Sequence, residues 1–161
     1  MTLSSRAGCY NLIISLKRKK TIRVGKLGVA SFPRGTYVYT GSAMNGLGAR
    51  LGRHLSREKK LHWHIDYLLT QREARIERII LYSPAPDQEC RQNHRIAGLP
   101  GATVILKNFG ASDCKAGCGS HLFYFASDAG VNLALRRNSR FTQALRANRE
   151  QPKRSRLKRR G

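Results

Sequence analysis

Residues 35–55 read GTYVYTGSAMNGLGARLGRHL, and the change of period inside this stretch decides the fold class. In residues 36–40 the side chains alternate, with Tyr37 and Tyr39 on one face of a strand and Val38 on the other. Gly41-Ser42 stops the strand, and Leu47, Leu51 and Leu55 then recur every four residues, as on an amphipathic helix. At about 100° per residue, Arg50 and His54 lie beside the leucine stripe, while Arg53 and Arg57 turn further outward. Two chemically capable side chains thus sit at the edge of a buried face.

Upstream, residues 8–16 (GCYNLIISL) and 21–24 (TIRV) are β-prone runs around a turn at 17–20, and they read as a hairpin. A loop punctuated by Gly25, Gly28, Pro33 and Gly35 follows. Downstream, 62–70 reads as a short helix and 75–82 as a strand. A helix runs from about Asp87, its expected N-cap, to about Gly98. Residues 103–106 and 121–125 are further expected strands around a Gly/Cys loop, and a basic helix covers 128–148 with a break at Asn138-Ser139. No repeat is visible. The expected fold is a small α/β domain, a mixed sheet flanked by helices, over 1–126. A basic helical extension (127–148) and a disordered basic arm (149–161) follow it.

The 161 residues carry a formal charge of +22. Residues 149–161 hold seven basic side chains and one acid, which leaves +16 on residues 1–148. Such a body repels itself, so a polyanion is the expected partner, and nucleic acid is the default polyanion. No run of 18 apolar residues is present, which excludes a membrane-spanning helix. The first ten residues lack the apolar stretch of an export signal, so a cytoplasmic location with reduced cysteines is expected.

The chemistry-bearing pattern is Gly8-Cys9-Tyr10, then Tyr39-Thr40-Gly41, then Arg50 and His54 on the following helix. Two tyrosines at adjacent strand ends beside a helical Arg and His can surround one phosphodiester. A tyrosine hydroxyl or a histidine relays a proton from water, and a guanidinium fork stabilises charge on phosphate oxygens. Glu89 supplies a carboxylate for a divalent ion, since Mg²⁺ commonly uses only one or two from the protein.

These residues resemble the GIY-YIG nuclease superfamily, with Cys9 and Thr40 at the middle positions of its two motifs. The closer resemblance is to a branch of small archaeal and bacterial proteins, some fused to endonuclease III-type glycosylases. It rests on GTYVYTGSA (35–43), LGRHL (51–55), HWHIDYLL (62–69), Glu89-Cys90, FGASDC (109–114) and SHLFYF (120–125), and covers roughly residues 7–126. The resemblance implies endonucleolytic hydrolysis dependent on Mg²⁺ or Mn²⁺, of DNA more than RNA, in repair or recombination. By the same resemblance Tyr10 positions or deprotonates water, Tyr39 orients the phosphate, Arg50 is the catalytic arginine, Glu89 holds the metal and His54 takes a proton role. Ser42, Arg53, Arg57, Lys59 and Lys60 are the expected nucleic-acid contacts. The alternative is an inactive nuclease fold that only binds DNA or RNA.

Cys114, Cys118 and His121 form C-x3-C-x2-H, with Cys90 or Asp113 available as a fourth donor. Ordinary reduced cysteines with a capping histidine are the first reading of this cluster; Zn²⁺ is the second, because thiolate and imidazole suit a tetrahedral zinc site. His62 and Asp66, at i and i+4 beside Trp63, are expected to form a structural pair.

Overall fold

A computed structural model describes residues 5–136; the rest of the basic helix, the break expected at 138–139 and the arm at 149–161 lie outside the described residues. The chain runs through β1 (Gly8–Leu16), β2 (Lys20–Arg23), β3 (Val29–Phe32), β4 (Gly35–Ala43), α1 (Leu47–Leu55) and α2 (His64–Leu69). It continues through β5 (Ala74–Tyr82), α3 (Gln88–Ala97), β6 (Leu122–Phe125) and α4 (Ala129–Arg136). The α/β architecture is the one expected from the sequence.

The main sheet has the order β5-β1-β4-β6. β1 is buried on both faces along most of its length, which its nearly unbroken apolar run dictates. Every pairing is antiparallel, so the sheet is not mixed in strand direction as expected. The α1–α2 crossover does join two strands of the same direction, β4 and β5, but β1 lies between them.

The expected hairpin of residues 8–16 with 21–24 does not form. Both edges of β1 are taken by β4 and β5, and β2 pairs instead with β3 as a separate two-stranded sheet. Gly25 and Gly28, at φ 47° and 93°, turn the chain between those two strands. Gly41-Ser42 does not end β4, which continues to Ala43. Residues 103–106 are not a strand: only Thr103 bridges to Tyr124, while Ile105 and Leu106 pack sideways on the core. Asp87 stands before α3 in a left-handed conformation and makes no capping hydrogen bond.

Each face of the sheet carries its own apolar cluster. One gathers Tyr10, Leu12, Ile14, Tyr37 and Tyr39 with Leu47 and Leu51 of α1, Ile65 and Leu68 of α2, and the β2–β3 hairpin. The other gathers Ile13, Val38, Ile80 and Phe123 with Ile96 of α3 and Val131 and Leu135 of α4. The described turns of α4 therefore belong to the same folded body as residues 5–126. His54, and not Leu55, completes the buried stripe of α1: Leu47, Leu51 and His54 are buried, and Leu55 is 44% exposed. No helix among the described residues is long and apolar enough to cross a membrane.

Candidate functional site

The site forms where the Tyr10 end of β1 meets the Gly41 end of β4. Tyr10 is paired across the strands with Gly41. A Cβ at position 41 would come within 2.6 Å of the Tyr10 hydroxyl and 3.0 Å of the Tyr39 ring, so this motif glycine is a steric requirement. Gly8 answers a similar need, since a Cβ there would meet the Tyr82 carbonyl oxygen at 2.7 Å. The Tyr10 hydroxyl lies 2.7 Å from Nε2 of His54, and the Tyr10, Tyr39 and His54 rings pack together. Burial raises both tyrosine pKa values, and burial followed by the charge on Lys59 lowers His54 to about 4. At neutral pH all three rings are uncharged, and the Tyr10–His54 pair shares a hydrogen-bonding proton.

Arg50 and Glu89 reach this junction from opposite faces of the sheet. Arg50, on α1, donates from Nη1 to the Ser42 carbonyl at 3.0 Å and stacks on Trp63 at 4.1 Å from the ring centre. Glu89, in the first turn of α3, accepts a hydrogen bond from the Ser42 hydroxyl at 2.5 Å, and its Oε1 lies 3.2 Å from Nδ1 of His121. Burial works against the Glu89 charge, but His121 and Ser42 outweigh it and hold the carboxyl below its usual range. Ser42 thus links the two faces by one hydroxyl and one carbonyl. A cavity of about 940 Å³ opens here, walled by Tyr39, Ser42, Arg50, Trp63, Glu89 and His121 among others. Tyr10 and His54 are not among its walls and stand behind Tyr39.

The expected nucleic-acid contacts separate into two groups. Arg57 and Lys60 are exposed. Arg53 does not turn outward: its Nη2 donates to Asp66 Oδ2 and to the Lys60 carbonyl, each at 2.6 Å, and its guanidinium lies over Trp63. Fully buried Asp66 draws it back. Lys59 donates to the His54 carbonyl at 3.0 Å. The expected His62–Asp66 side-chain pair is absent, because Asp66 Oδ2 accepts from the backbone N–H groups of His62 and Trp63 instead. His62-x-His64 stands out in the sequence, but the pairing expected there is that of His62; it is His64, on the cavity wall, that accepts at Nδ1 from the Gly110 N–H at 2.9 Å. Nε2 of His64 therefore carries the ring proton. The sequence around His64 gives no sign of this contact, because the loop partner arrives 46 residues later.

The structure brings the cysteine cluster together. Donor atoms of Cys90, Cys114, Cys118 and His121 all lie within 4.8 Å of one another. Cys90 follows Glu89 on α3, Cys114 and Cys118 lie on the loop, and His121 immediately precedes β6. Burial opposes a charged Cys114, but the backbone N–H of Cys118 and the nearby His121 outweigh it and lower the thiol to about 6.

The family model described as "Domain of unknown function DUF123" matches residues 9–143, and the chain belongs to that family. No curated protein and no solved structure matches the chain.

Proposed function

We propose that this protein is a divalent-metal-dependent endonuclease of the GIY-YIG type, acting on DNA before RNA. Support comes from one observation: five side chains of the expected types, from four elements between residues 10 and 89, converge on one sheet end. Three of them, Tyr39, Arg50 and Glu89, line the cavity.

In this reading the phosphodiester lies across the cavity with its non-bridging oxygens toward Arg50. The guanidinium is already held by the Ser42 carbonyl and the Trp63 face, so little reorganisation is needed as charge develops in the transition state. Tyr39 fixes the phosphate at the cavity wall. Tyr10 and neutral His54, hydrogen-bonded to each other behind Tyr39 and off the cavity wall, brace its ring rather than take a proton from water directly. Of the three carboxylates on the wall, Asp87, Glu89 and Asp113, only Glu89 is reached by Ser42 at the sheet end; it would hold Mg²⁺ or Mn²⁺, which would supply Lewis-acid stabilisation of the leaving oxygen. Ser42 and His121 orient that carboxylate.

The test is cleavage of an end-labelled panel of DNA and RNA duplexes, flaps, junctions and single strands with Mg²⁺ and with Mn²⁺. Arg50→Ala and Glu89→Ala are run beside the wild type. Metal-dependent products that disappear in both variants are expected. Tight binding of every substrate with no product under any condition would replace the nuclease with a binding module.

A further inference from the structure

We propose that Cys90, Cys114, Cys118 and His121 form a structural zinc site that pins the long loop before β6 to α3 and, through His121, aims the Glu89 carboxylate. The inference does not rest on nuclease activity.

The first observation is the geometry of the donors. Zinc–sulfur bonds of about 2.3 Å in a regular tetrahedron place sulfurs about 3.8 Å apart. The Cys90 and Cys114 sulfurs are 3.6 Å apart, and all four donors fall within 4.8 Å. A disulfide requires about 2.05 Å between sulfurs and would leave a third cysteine and the histidine unused. Three thiolates and an imidazole are borderline-soft donors, which zinc accepts and Mg²⁺ or Ca²⁺ does not. Four protein donors leave no open position, so the site is structural.

The second observation is independent of the cysteines. His121 is 3% exposed, its Nδ1 lies 3.2 Å from Glu89 Oε1, and its Nε2 has no hydrogen-bond partner. Nδ1 faces Glu89, which leaves Nε2 as the nitrogen for the metal. A carboxylate behind a zinc-bound imidazole is the usual way such a ring is oriented and its basicity raised. His94, one turn after Cys90 on α3, stands 3.5 Å from the Cys118 sulfur and can donate to that thiolate.

The loop itself supplies the physical need. Residues 107–121 contain no helix or strand, and runs of that length inside a domain are uncommon and often functional. This one is held at its base by buried Phe109 and by hydrogen bonds of 108 with 119 and 109 with 121, which leaves the stretch bearing Cys114 and Cys118 to be fastened. Asn108, Gly110 and Gly117 turn this loop with left-handed backbone, at φ 63°, 67° and 72°. Zinc would join it to the helix carrying Glu89, so one wall of the cavity becomes a cross-linked unit. On loading, the thiol protons leave to solvent as the sulfurs bind as thiolates.

The test uses the full-length chain, purified with a reductant and without chelator. Elemental analysis should find about one zinc per chain. Apoprotein titrated with Co²⁺ should develop the visible bands of tetrahedral cobalt and thiolate-to-metal charge transfer, and one equivalent of Zn²⁺ should abolish both. Cys114→Ser and Cys118→Ser should lose the bands, and Cys9→Ala should keep them. Glu89→Gln should bind zinc about tenfold more weakly, the low end of the effect of losing such an outer partner. If the serine variants do not fold, the wild-type titration decides alone. The proposal falls if wild-type apoprotein takes up neither ion, or if mass spectrometry of alkylated protein finds a Cys90–Cys114 disulfide. Unchanged zinc affinity in Glu89→Gln would remove the link to Glu89. None of these readouts depends on cleavage, so the site and the nuclease reading fail separately.

Discussion

At position 41 a single hydrogen in place of a methyl group lets the Tyr10 hydroxyl and the Tyr39 ring occupy the same strand end. Gly41→Ala forces both aromatics to shift inside a packed core, which should cost about 1–3 kcal/mol in denaturant unfolding and displace the Tyr10–His54 hydrogen bond. His54 makes a separate prediction about pH. Its imidazole is almost fully buried and its pKa is lowered from 6.5 to about 4. Above pH 6.5 the ring is neutral in both folded and unfolded chains. As the pH falls below 6.5 the unfolded chain binds a proton that the folded chain refuses until about pH 4, so stability is lost across that window. Between pH 7.5 and pH 5, above most carboxylate titrations, the His54 contribution should fall by about 2 kcal/mol. His64, lowered by burial, acts in the same direction, and His121, where Glu89 outweighs burial and raises the pKa to about 9, in the opposite one. The difference between wild type and variant is therefore what is read. Asp66, whose pKa lies below 3.8, adds its own loss only at lower pH. Unfolding curves of the wild type and His54→Gln at the two pH values check this. The variant should lack that part of the slope, and an identical slope would refute the assignment.

At the scale of elements, α1 separates a periodic pattern from a buried face. Leu51 is buried and Leu55 is 44% exposed, although both belong to the same four-residue spacing. Leu51→Ala should therefore cost about 2–5 kcal/mol. Leu55→Ala should stay within about 0.5 kcal/mol in the same unfolding measurement. The strand-to-helix switch at 35–55 was legible because both halves have strong local periodicity. The partner of β2 was not legible, since two β-prone runs across a basic turn look like a hairpin until both edges of β1 are known to be occupied. Tyr10, Tyr39, Arg50 and Glu89 could be named from motif spacing. That Glu89 faces His121, that Arg53 is drawn back by Asp66 and that Trp63 carries Arg50 are tertiary facts with no local signature. The cysteine cluster was half visible. C-x3-C-x2-H lies in one stretch, but Cys90 is 24 residues from Cys114, and only the packing of α3 beside the loop brings it in.

At the scale of the whole molecule, a charge of +22 on 161 residues sets how any polyanion is met. If about six phosphates are neutralised, binding to a duplex should weaken roughly 10³-fold between 50 and 200 mM salt, with little change between sequences. Fluorescence anisotropy across that range gives the slope, and a flat response would remove nucleic acid as the partner. In the proposed reading the charge brings the strand to the protein, and the junction of the two sheet faces, with Arg50 above and Glu89 below, is where the chemistry takes place. Single-turnover cleavage of the best substrate at saturating protein, wild type against Arg50→Ala, tests that claim most directly. Loss of one preorganised donor to the transition state should slow the rate about 10²–10³-fold while the dissociation constant moves much less. Equal rates in the two proteins, or no cleavage by the wild type at full saturation, would contradict it.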